Sequence, residues 1–510
     1  MQKSKKDLKL LFVNSCLRPG HFTKLPPVGL ASVMTYFHDH GYQFTLLDID
    51  LNEYDDDYIK QYLKDNEFDF ILIGTIVTHY KWIKWFVNTA KTIQPNSKLI
   101  AGNSVASSIP ELFLSKTKAD IVVIGEGEIS AYESVEAFRL EKDLHTINGI
   151  AFNDQEGNFV QNPPREAGNI NEFGMINWDS FEIERYLEKP INIPDKNINP
   201  DEIRAMPLIT ARGCAFKCTF CHYVFWNDPY RNKSPKQIVK EIRIIQEKYN
   251  ANIINFWDDL SFASAIQMEK VCDEILSSGL KFKWSCAIRV DLFSRARLSF
   301  EDSVKVANKM KKAGCYLVGF ALESGNQEIL EMMNKKIEAD AFYNSVFVLK
   351  EAGITVETSV VFGYPIETKE TIKETFDQCL KASVYPSIGF LLPLPATGMY
   401  DYAKMKGFIV DEDKYLDSIT ERQDICVNMT KMSDKEIMDE IKEGASILNK
   451  KFKLGLTNDT FIKTKGYQGG KIKKPVLVDP KKMKRINNDV SFNYSQTEFE
   501  YAESSLKSEV

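Results

Sequence analysis

Several things are scarce in this chain, and each scarcity narrows its class. No apolar run approaches the roughly 20 residues that a membrane-crossing helix needs, so no spanning helix is expected. Neither sign of charge dominates: 65 lysines and arginines stand against 71 aspartates and glutamates, a formal net charge of −6, which argues against a nucleic-acid binder. Cysteine is sparse, nine residues in 510, and does not form a disulfide framework. Cys16, Cys272, Cys286, Cys315, Cys379 and Cys426 are scattered singly and read as small buried hydrophobes. Only Cys16 precedes residue 214. The opening stretch, MQKSKKDLKLLFVNSC, has lysines but an apolar run only a strand long, so no secretion signal is expected and a cytoplasmic location is. There is no internal repeat beyond a strand–helix rhythm.

That rhythm is what the sequence does have. With 510 residues, 44% hydrophobic and 27% charged, two or three domains are expected. Leu10 to Val13, Phe44 to Leu47, Phe70 to Ile73, Leu99 to Ala101 and Ile121 to Ile124 read as strands alternating with amphipathic helices. This predicts a doubly wound parallel sheet over 1–145, with ligands beyond the carboxyl ends of the strands. Those ends carry Gly74-Thr75, Gly102-Asn103 and Gly125-Glu126-Gly127-Glu128, which read equally well as close approaches to a ligand or as tight turns. Residues 146–203 read as a hairpin and a polar, proline-bearing connector. Over 204–410 six more apolar runs, at 207–209, 253–257, 284–288, 316–322, 355–361 and 387–392, predict a barrel or part of one. A helical extension over 411–460 and a basic, then polar tail over 461–510 follow.

The stretch ITARGCAFKCTFCHY, residues 209–223, stands apart. Cys214, Cys218 and Cys221 are spaced C-x3-C-x2-C on a loop after the first barrel strand. Thiolates so grouped suit zinc or an iron–sulfur cluster. His222 could complete a zinc site, but zinc sites usually pair cysteines two by two, and His222 directly follows Cys221. Three ligands for a four-iron cluster leave one iron open to a cofactor or substrate.

RGCAFKCTFC resembles the cluster loop of the radical S-adenosylmethionine (SAM) superfamily, with Phe220 as the aromatic before the last cysteine. The similarity runs in order through FWDD at 256–259, CAIRVD at 286–291, FALESG at 320–325, VVFGYPIET at 360–368 and PLPATGMY at 393–400. The resemblance implies a partial (β/α)6 barrel in which Cys214, Cys218 and Cys221 hold a 4Fe–4S cluster. It implies that the cluster binds SAM and cleaves it reductively to a 5′-deoxyadenosyl radical. It places Phe220 beside the adenine, Asp258 or Asp259 at the methionine amino group, Arg289 at the SAM carboxylate, and Glu323 and Ser324 at the ribose or methionine end. Trp-Asp-Asp stands where many members have Gly-Gly-Glu. Simpler partners exist for two of these groups: Arg289 could pair Asp291 or Glu323, and Glu367 could cap the helix after Thr368.

The first domain is similar to the cobalamin-binding domain fused to many radical SAM enzymes, through LPPVGLASVMTYFHDHGYQFTLLDID at 25–50, AGNSVASSIPE at 101–111 and VVIGEGE at 122–128. That resemblance implies a Rossmann-like (flavodoxin-like) domain with cobalamin over its strand ends and Gly29, Thr75, Gly102, Gly125 and Gly127 as contacts. The D-x-H-x-x-G motif that supplies a lower histidine ligand in some such domains is absent, and Asn103 replaces the second glycine of a usual Gly-Gly pair. The implied activity is a cobalamin-dependent radical SAM reaction, C-methylation of an unactivated carbon or ring formation without net methylation. A small-molecule or natural-product-type substrate is expected, with flavodoxin or ferredoxin as electron donor and no nucleic acid. A methylthiotransferase would need three further cysteines in the first domain, where only Cys16 is found. A non-enzymatic zinc- or cobalamin-binding module is the remaining alternative. No motif marks a catalytic acid or base.

Overall fold

The first five apolar runs are strands β1 (Leu10–Asn14), β2 (Thr45–Asp48), β3 (Phe70–Gly74), β4 (Lys98–Gly102) and β5 (Ile121–Val123), in a computed structural model that describes residues 4–21, 23–188, 199, 202–222, 229–420, 422, 424–457 and 461–462. They are parallel, in the order β2-β1-β3-β4-β5. β1 is buried along its whole length, as expected of a strand covered on both faces by helices. The chain leaves β1 toward β2 on one side and reaches β3 on the other. The topological switch point, where such sheets bind ligands, therefore lies between the ends of β1 and β3.

The hairpin read as part of the connector is built into this sheet. β6 (Ile150–Asn153) pairs antiparallel with β5, and β7 (Phe159–Gln161) pairs with β6. Ile150, Ala151 and Phe152 are buried there, so the hairpin covers what would be an apolar edge on β5. After it, Tyr186 on the short helix Ile183–Leu187 returns to the strand ends, where its hydroxyl donates to Asp48 at 2.6 Å and accepts from the Asn14 side-chain amide at 3.3 Å.

The second sheet starts at β8 (Ala205–Leu208). A two-residue stem follows, β9 (Ala211–Arg212) against β10 (Arg231–Asn232), which closes off the cysteine loop. β11 (Ile253–Phe256), β12 (Lys283–Ala287), β13 (Cys315–Glu323), β14 (Thr355–Phe362) and β15 (Ser387–Phe390) complete six parallel strands in sequential order, an open partial barrel. Its helices begin where the sequence signals them: the Ser234 hydroxyl accepts from the Gln237 amide ahead of Pro235, and Thr368 and Thr371 form a reciprocal capping box. Glu367 is therefore not that helix's cap.

The helical extension ties the two parts together. From the helix Glu412–Ser418, Asp413 accepts from Lys84 at 2.8 Å and Tyr80 at 2.7 Å, both on the first domain's helix Tyr80–Ile93. The Phe390 amide donates to the Arg422 carbonyl, covering the open edge at β15. The helix Asp434–Phe452 packs on the helix Lys369–Lys381 so closely that a Cβ on Gly444 would lie 2.2 Å from the Phe376 ring. The basic stretch from Lys463 to Arg485 and the polar end after it lie outside the described residues. Cys272, Cys286, Cys315 and Cys379 are buried in the core, and no helix among the described residues is long and apolar enough to cross a membrane.

Candidate active site

The cysteine loop leaves its stem through Gly213, whose φ of +73° is a left-handed turn that glycine adopts without strain. Side chains and backbone from the later strand ends then hold it. Both oxygens of Asp258, just past β11, close on its base, accepting from the Thr210 and Ala211 amides at 2.8 and 3.0 Å and the Thr210 hydroxyl at 2.6 Å. The Thr219 amide donates to the Met333 carbonyl, its hydroxyl to the Met332 carbonyl, and its own carbonyl accepts from the Met399 amide. Asn334 donates to the Lys217 carbonyl at 2.6 Å. Arg289, past β12, lies 3.5 Å over the Phe216 ring, between two of the cysteines.

Cys218 is buried, and Cys214 and Cys221 are half-buried; none of the three is in a disulfide. Burial pushes the Cys218 thiol up, with Lys335 and Arg289 pulling it back. A thiolate held there needs a cation beside it, which iron would supply. Among the described residues no three His, Cys, Asp or Glu side chains converge as ligands of a single metal ion. A cluster makes a different demand, one cysteine on each of three irons. The His222 ring lies against the Ser104 backbone of the first domain, and burial lowers it to about 4. The donor set thus fits a cluster better than a Cys3His zinc site.

Three residues expected at SAM have partners within the protein. Asp258 builds the loop. Arg289 pairs with Asp291 at 3.0 Å and donates to the Lys335 and Lys336 carbonyls at 2.7 and 3.3 Å, so it braces a turn instead of presenting a free fork to a carboxylate. Ser324 is buried, accepting from the Asn326 amide at 3.2 Å within the turn after β13. Asp259 is exposed at the end of β11.

Glu323 does face an open requirement. It sits at φ +64°, a strained conformation for a residue with a Cβ, and its Oε1 takes Lys335 at 2.9 Å. Its Oε2 is buried and has no hydrogen-bond partner among the described residues. An orphaned buried carboxylate oxygen calls for a donor from a ligand. Lys335 is itself buried, flanked by left-handed Asn334 and Lys336, and its ammonium lies 5.8 Å from the centre of the Phe220 ring. Phe220 in turn packs edge-on against Tyr364 after β14, ring centres 6.5 Å apart. Phe220, Glu323, Lys335 and Tyr364 therefore meet beside Cys218. Sequence reading missed Lys335 and Tyr364: one is an ordinary lysine in a helix-ending turn, the other an aromatic in an apolar run. Glu367 accepts from the Gly363 amide at 3.2 Å and from Thr371, and burial raises its carboxyl to about 7.

On the first domain, the Ser15 and Thr75 hydroxyls meet at 3.1 Å across the switch point, and Thr75 contacts His79 Nδ1 at 3.3 Å. Burial lowers His79 to about 4, so its imidazole is neutral near pH 7. A Cβ on Gly29 or on Gly125 would meet nothing within 4 Å, so both leave room for a ligand. Gly125 also needs its φ of +81°. Gly102 faces Val123 at ordinary contact distance, whereas Gly127 is small to admit Val33, whose Cγ2 would lie 3.2 Å from a Cβ. Asn103 has φ +61°, a conformation asparagine tolerates best after glycine, which accounts for its place in the expected Gly-Gly pair. Leu17, Leu25 and Ile76 are exposed on the loops that follow β1 and β3.

The family profile of the radical SAM superfamily matches residues 208–379, and that of the B12 binding domain matches residues 22–134. The chain is a radical SAM protein with a B12-binding domain. An uncharacterized methyltransferase of Pyrococcus horikoshii is 26% identical over 408 residues, 78% of this chain and 83% of that protein. An anaerobic magnesium-protoporphyrin IX monomethyl ester cyclase of Rubrivivax gelatinosus is 26% identical over 359 residues, 69% of this chain and 61% of that protein. Among solved structures, the cobalamin-dependent S-adenosylmethionine radical enzyme OxsB, with aqua-cobalamin and S-adenosylmethionine bound, superposes with a TM-score of 0.63 at 19% identity, over 80% of this chain and 56% of that one. A 4Fe–4S cluster, SAM and cobalamin are the cofactors of this class.

The radical SAM and B12-binding domains meet at the stem of the cysteine loop. Arg212 reaches Glu126 at 3.1 Å, Glu128 at 2.6 Å and Ser32 at 3.0 Å. Arg231, directly opposite Arg212 in the stem, reaches Glu126 at 2.8 Å. Burial opposes the charge on Glu128, but Arg212 more than offsets it and holds the carboxyl below its usual range.

Proposed function

We propose that this protein is a cobalamin-dependent radical SAM C-methyltransferase acting on a small molecule of natural-product type. The observation that carries the reading is the tie between the two domains: the stem of the cysteine loop is ion-paired to Glu126 and Glu128, at the start of the helix that follows β5 in the B12-binding domain. The match to the Pyrococcus methyltransferase over most of both chains supports methylation.

When bound, the cluster and SAM would supply a 5′-deoxyadenosyl radical, and cobalamin a methyl group. This chain's residues do the holding. Cys214, Cys218 and Cys221 ligate the cluster, and Asp258, Arg289 and Thr219 keep their loop in shape. Glu323 Oε2 would accept from the amino or ribose end of SAM, with Lys335 neutralising Glu323, and Phe220, backed by Tyr364, would line the adenine side. Gly29, Gly125 and Thr75 would line the corrinoid face, with neutral His79 steadying Thr75. Flavodoxin or ferredoxin supplies the electron, which sets the reaction in the cytoplasm.

A second reading, ring formation without net methylation, is favoured by the equal identity to the Rubrivivax cyclase. Anaerobically reconstituted protein incubated with SAM, a reductant and candidate substrates separates the two. S-adenosylhomocysteine together with 5′-deoxyadenosine and a product heavier by one methylene supports methylation. 5′-Deoxyadenosine alone, with a cyclised product, supports the second. Cleavage of no SAM by iron-loaded, reduced protein sinks both.

A further inference from the structure

The stem of the cysteine loop has an unusual charge arrangement. Arg212 and Arg231 are directly opposite one another on antiparallel β9 and β10, with side chains only 16% and 15% exposed. Like charges facing each other across a strand pair repel, and guanidinium groups do not relieve this by losing a proton. Carboxylates from outside the radical SAM domain face both arginines. Glu126 Oε1 accepts from both arginines, at 3.1 and 2.8 Å, and its Oε2 accepts from Arg231 at 3.1 Å. Glu128, whose side chain is 4% exposed, takes the other arm of Arg212 at 2.6 Å while Ser32 donates to the same oxygen at 2.6 Å. Arg231 also donates to the Gly168 carbonyl, and Arg212 lies 4.8 Å over the Phe173 ring.

Gly125 and Glu126 form the short link after β5, and Gly127 and Glu128 open the helix Gly127–Leu140 that follows it. Gly125 is at φ +81° with open space where a Cβ would stand, on the face assigned above to the corrinoid. At the other end of the ion cluster, Arg212 is two residues before Cys214. A shift of the helix start at 125–128 would draw Glu126 and Glu128 away from two largely buried guanidinium groups that face each other at the neck of the cysteine loop, a costly loss of charge pairing. The helix start and the stem are tied by these ion pairs.

We propose that Glu126, Glu128, Arg212 and Arg231 couple the two cofactor sites, so that occupancy of the corrinoid face alters SAM affinity at the cysteine loop and SAM alters corrinoid affinity by the same factor. Reciprocity follows from linkage. The four side chains are positioning residues: they touch the loops, not the reacting atoms. The proposal rests on the cofactor reading above, and its test separates the two.

The full chain, reconstituted with iron and sulfide under anaerobic conditions, is titrated with SAM, with and without saturating hydroxocobalamin, and the change in the electron paramagnetic resonance signal of the dithionite-reduced cluster is followed. The wild-type protein is expected to change its SAM affinity about fivefold or more when hydroxocobalamin is bound, and the reverse titration to give the same factor. Glu126→Gln, isosteric but uncharged, is expected to bring that factor close to one while each ligand still binds alone. Arg212→Lys, which keeps the charge but lacks the fork that spans two carboxylates, is expected to reduce it too, and serves if Glu126→Gln does not fold. Independent binding of the two ligands in the wild type, or wild-type coupling in a folded Glu126→Gln or Arg212→Lys protein, overturns the coupling and leaves the functional reading standing. Failure of hydroxocobalamin to bind, or of SAM to perturb the cluster signal, overturns both.

Discussion

Asp258 and Thr210 are joined at two points, the carboxylate accepting 2.8 Å from the Thr210 amide and 2.6 Å from its hydroxyl, and this clasp sets where the cysteine loop begins. Asp258→Ala would leave the Thr210 and Ala211 amides unsatisfied, at about 1–3 kcal/mol each. The expected outcome is a lower iron content after reconstitution and a lower unfolding midpoint, with SAM binding falling only as far as the iron does. Iron per chain and thermal unfolding of the same preparation check it; a variant with full iron and unchanged stability would remove Asp258 from this role.

Glu323→Gln keeps the shape of the side chain but removes the charge facing Lys335 and weakens the orphaned acceptor. SAM affinity is expected to fall at least about tenfold, a change of roughly 1.4 kcal/mol, with iron content unchanged. Lys335→Met is expected to be worse, because it leaves a buried carboxylate without its cation at about 3–5 kcal/mol. SAM titration followed by the cluster signal measures the first; chemical denaturation measures the second.

Glu367 makes stability depend on pH. Burial raises its folded-state value to about 7, against 4.5 unfolded, so the folded chain holds this proton more tightly. The resulting stabilisation is full below about pH 4.5 and is lost as pH rises through about 7, a contribution on the order of 3 kcal/mol. Glu367→Gln, whose amide can still accept from Gly363, is expected to flatten this part of the profile. Urea midpoints at intervals from pH 5 to pH 8 for both proteins test it, and parallel profiles would refute it.

Asn103 at φ +61° sets up a contrast between two substitutions. Asn103→Gly is expected to leave hydroxocobalamin affinity within about twofold, because glycine adopts this conformation freely. Asn103→Val is expected to cost about 1–3 kcal/mol in backbone strain and to weaken hydroxocobalamin binding as the loop after β4 shifts. Equal affinities for the two variants would show that the backbone here does not matter to the corrinoid site.

Much of the scaffold was legible because it is governed by local periodicity. The apolar runs became strands within a residue or two of their expected limits; β1 and β3 are buried almost throughout and correspondingly apolar, while β14 alternates buried with more open positions before a buried end. The three cysteines were legible because thiolates so close in sequence have few other uses. The hairpin Ile150–Asn153 and Phe159–Gln161 was recognised, but its place in the first sheet was not: a hairpin's sequence does not say which edge it will cover.

The sequence by itself determined the close spacing of Cys214, Cys218 and Cys221, the strand–helix alternation of both domains, and the glycines at the strand ends. Spacing along the chain encodes these. Only the tertiary structure decided how the charged residues are divided: Asp258 and Arg289 to the loop's framework, Glu323 and Lys335 to one another beside Cys218, Arg212 and Arg231 to Glu126 and Glu128 across the domain boundary. A charge acquires its role from whatever opposite charge or polar group folding brings within about 3 Å of it, and for these residues the partner comes from another strand end or the other domain.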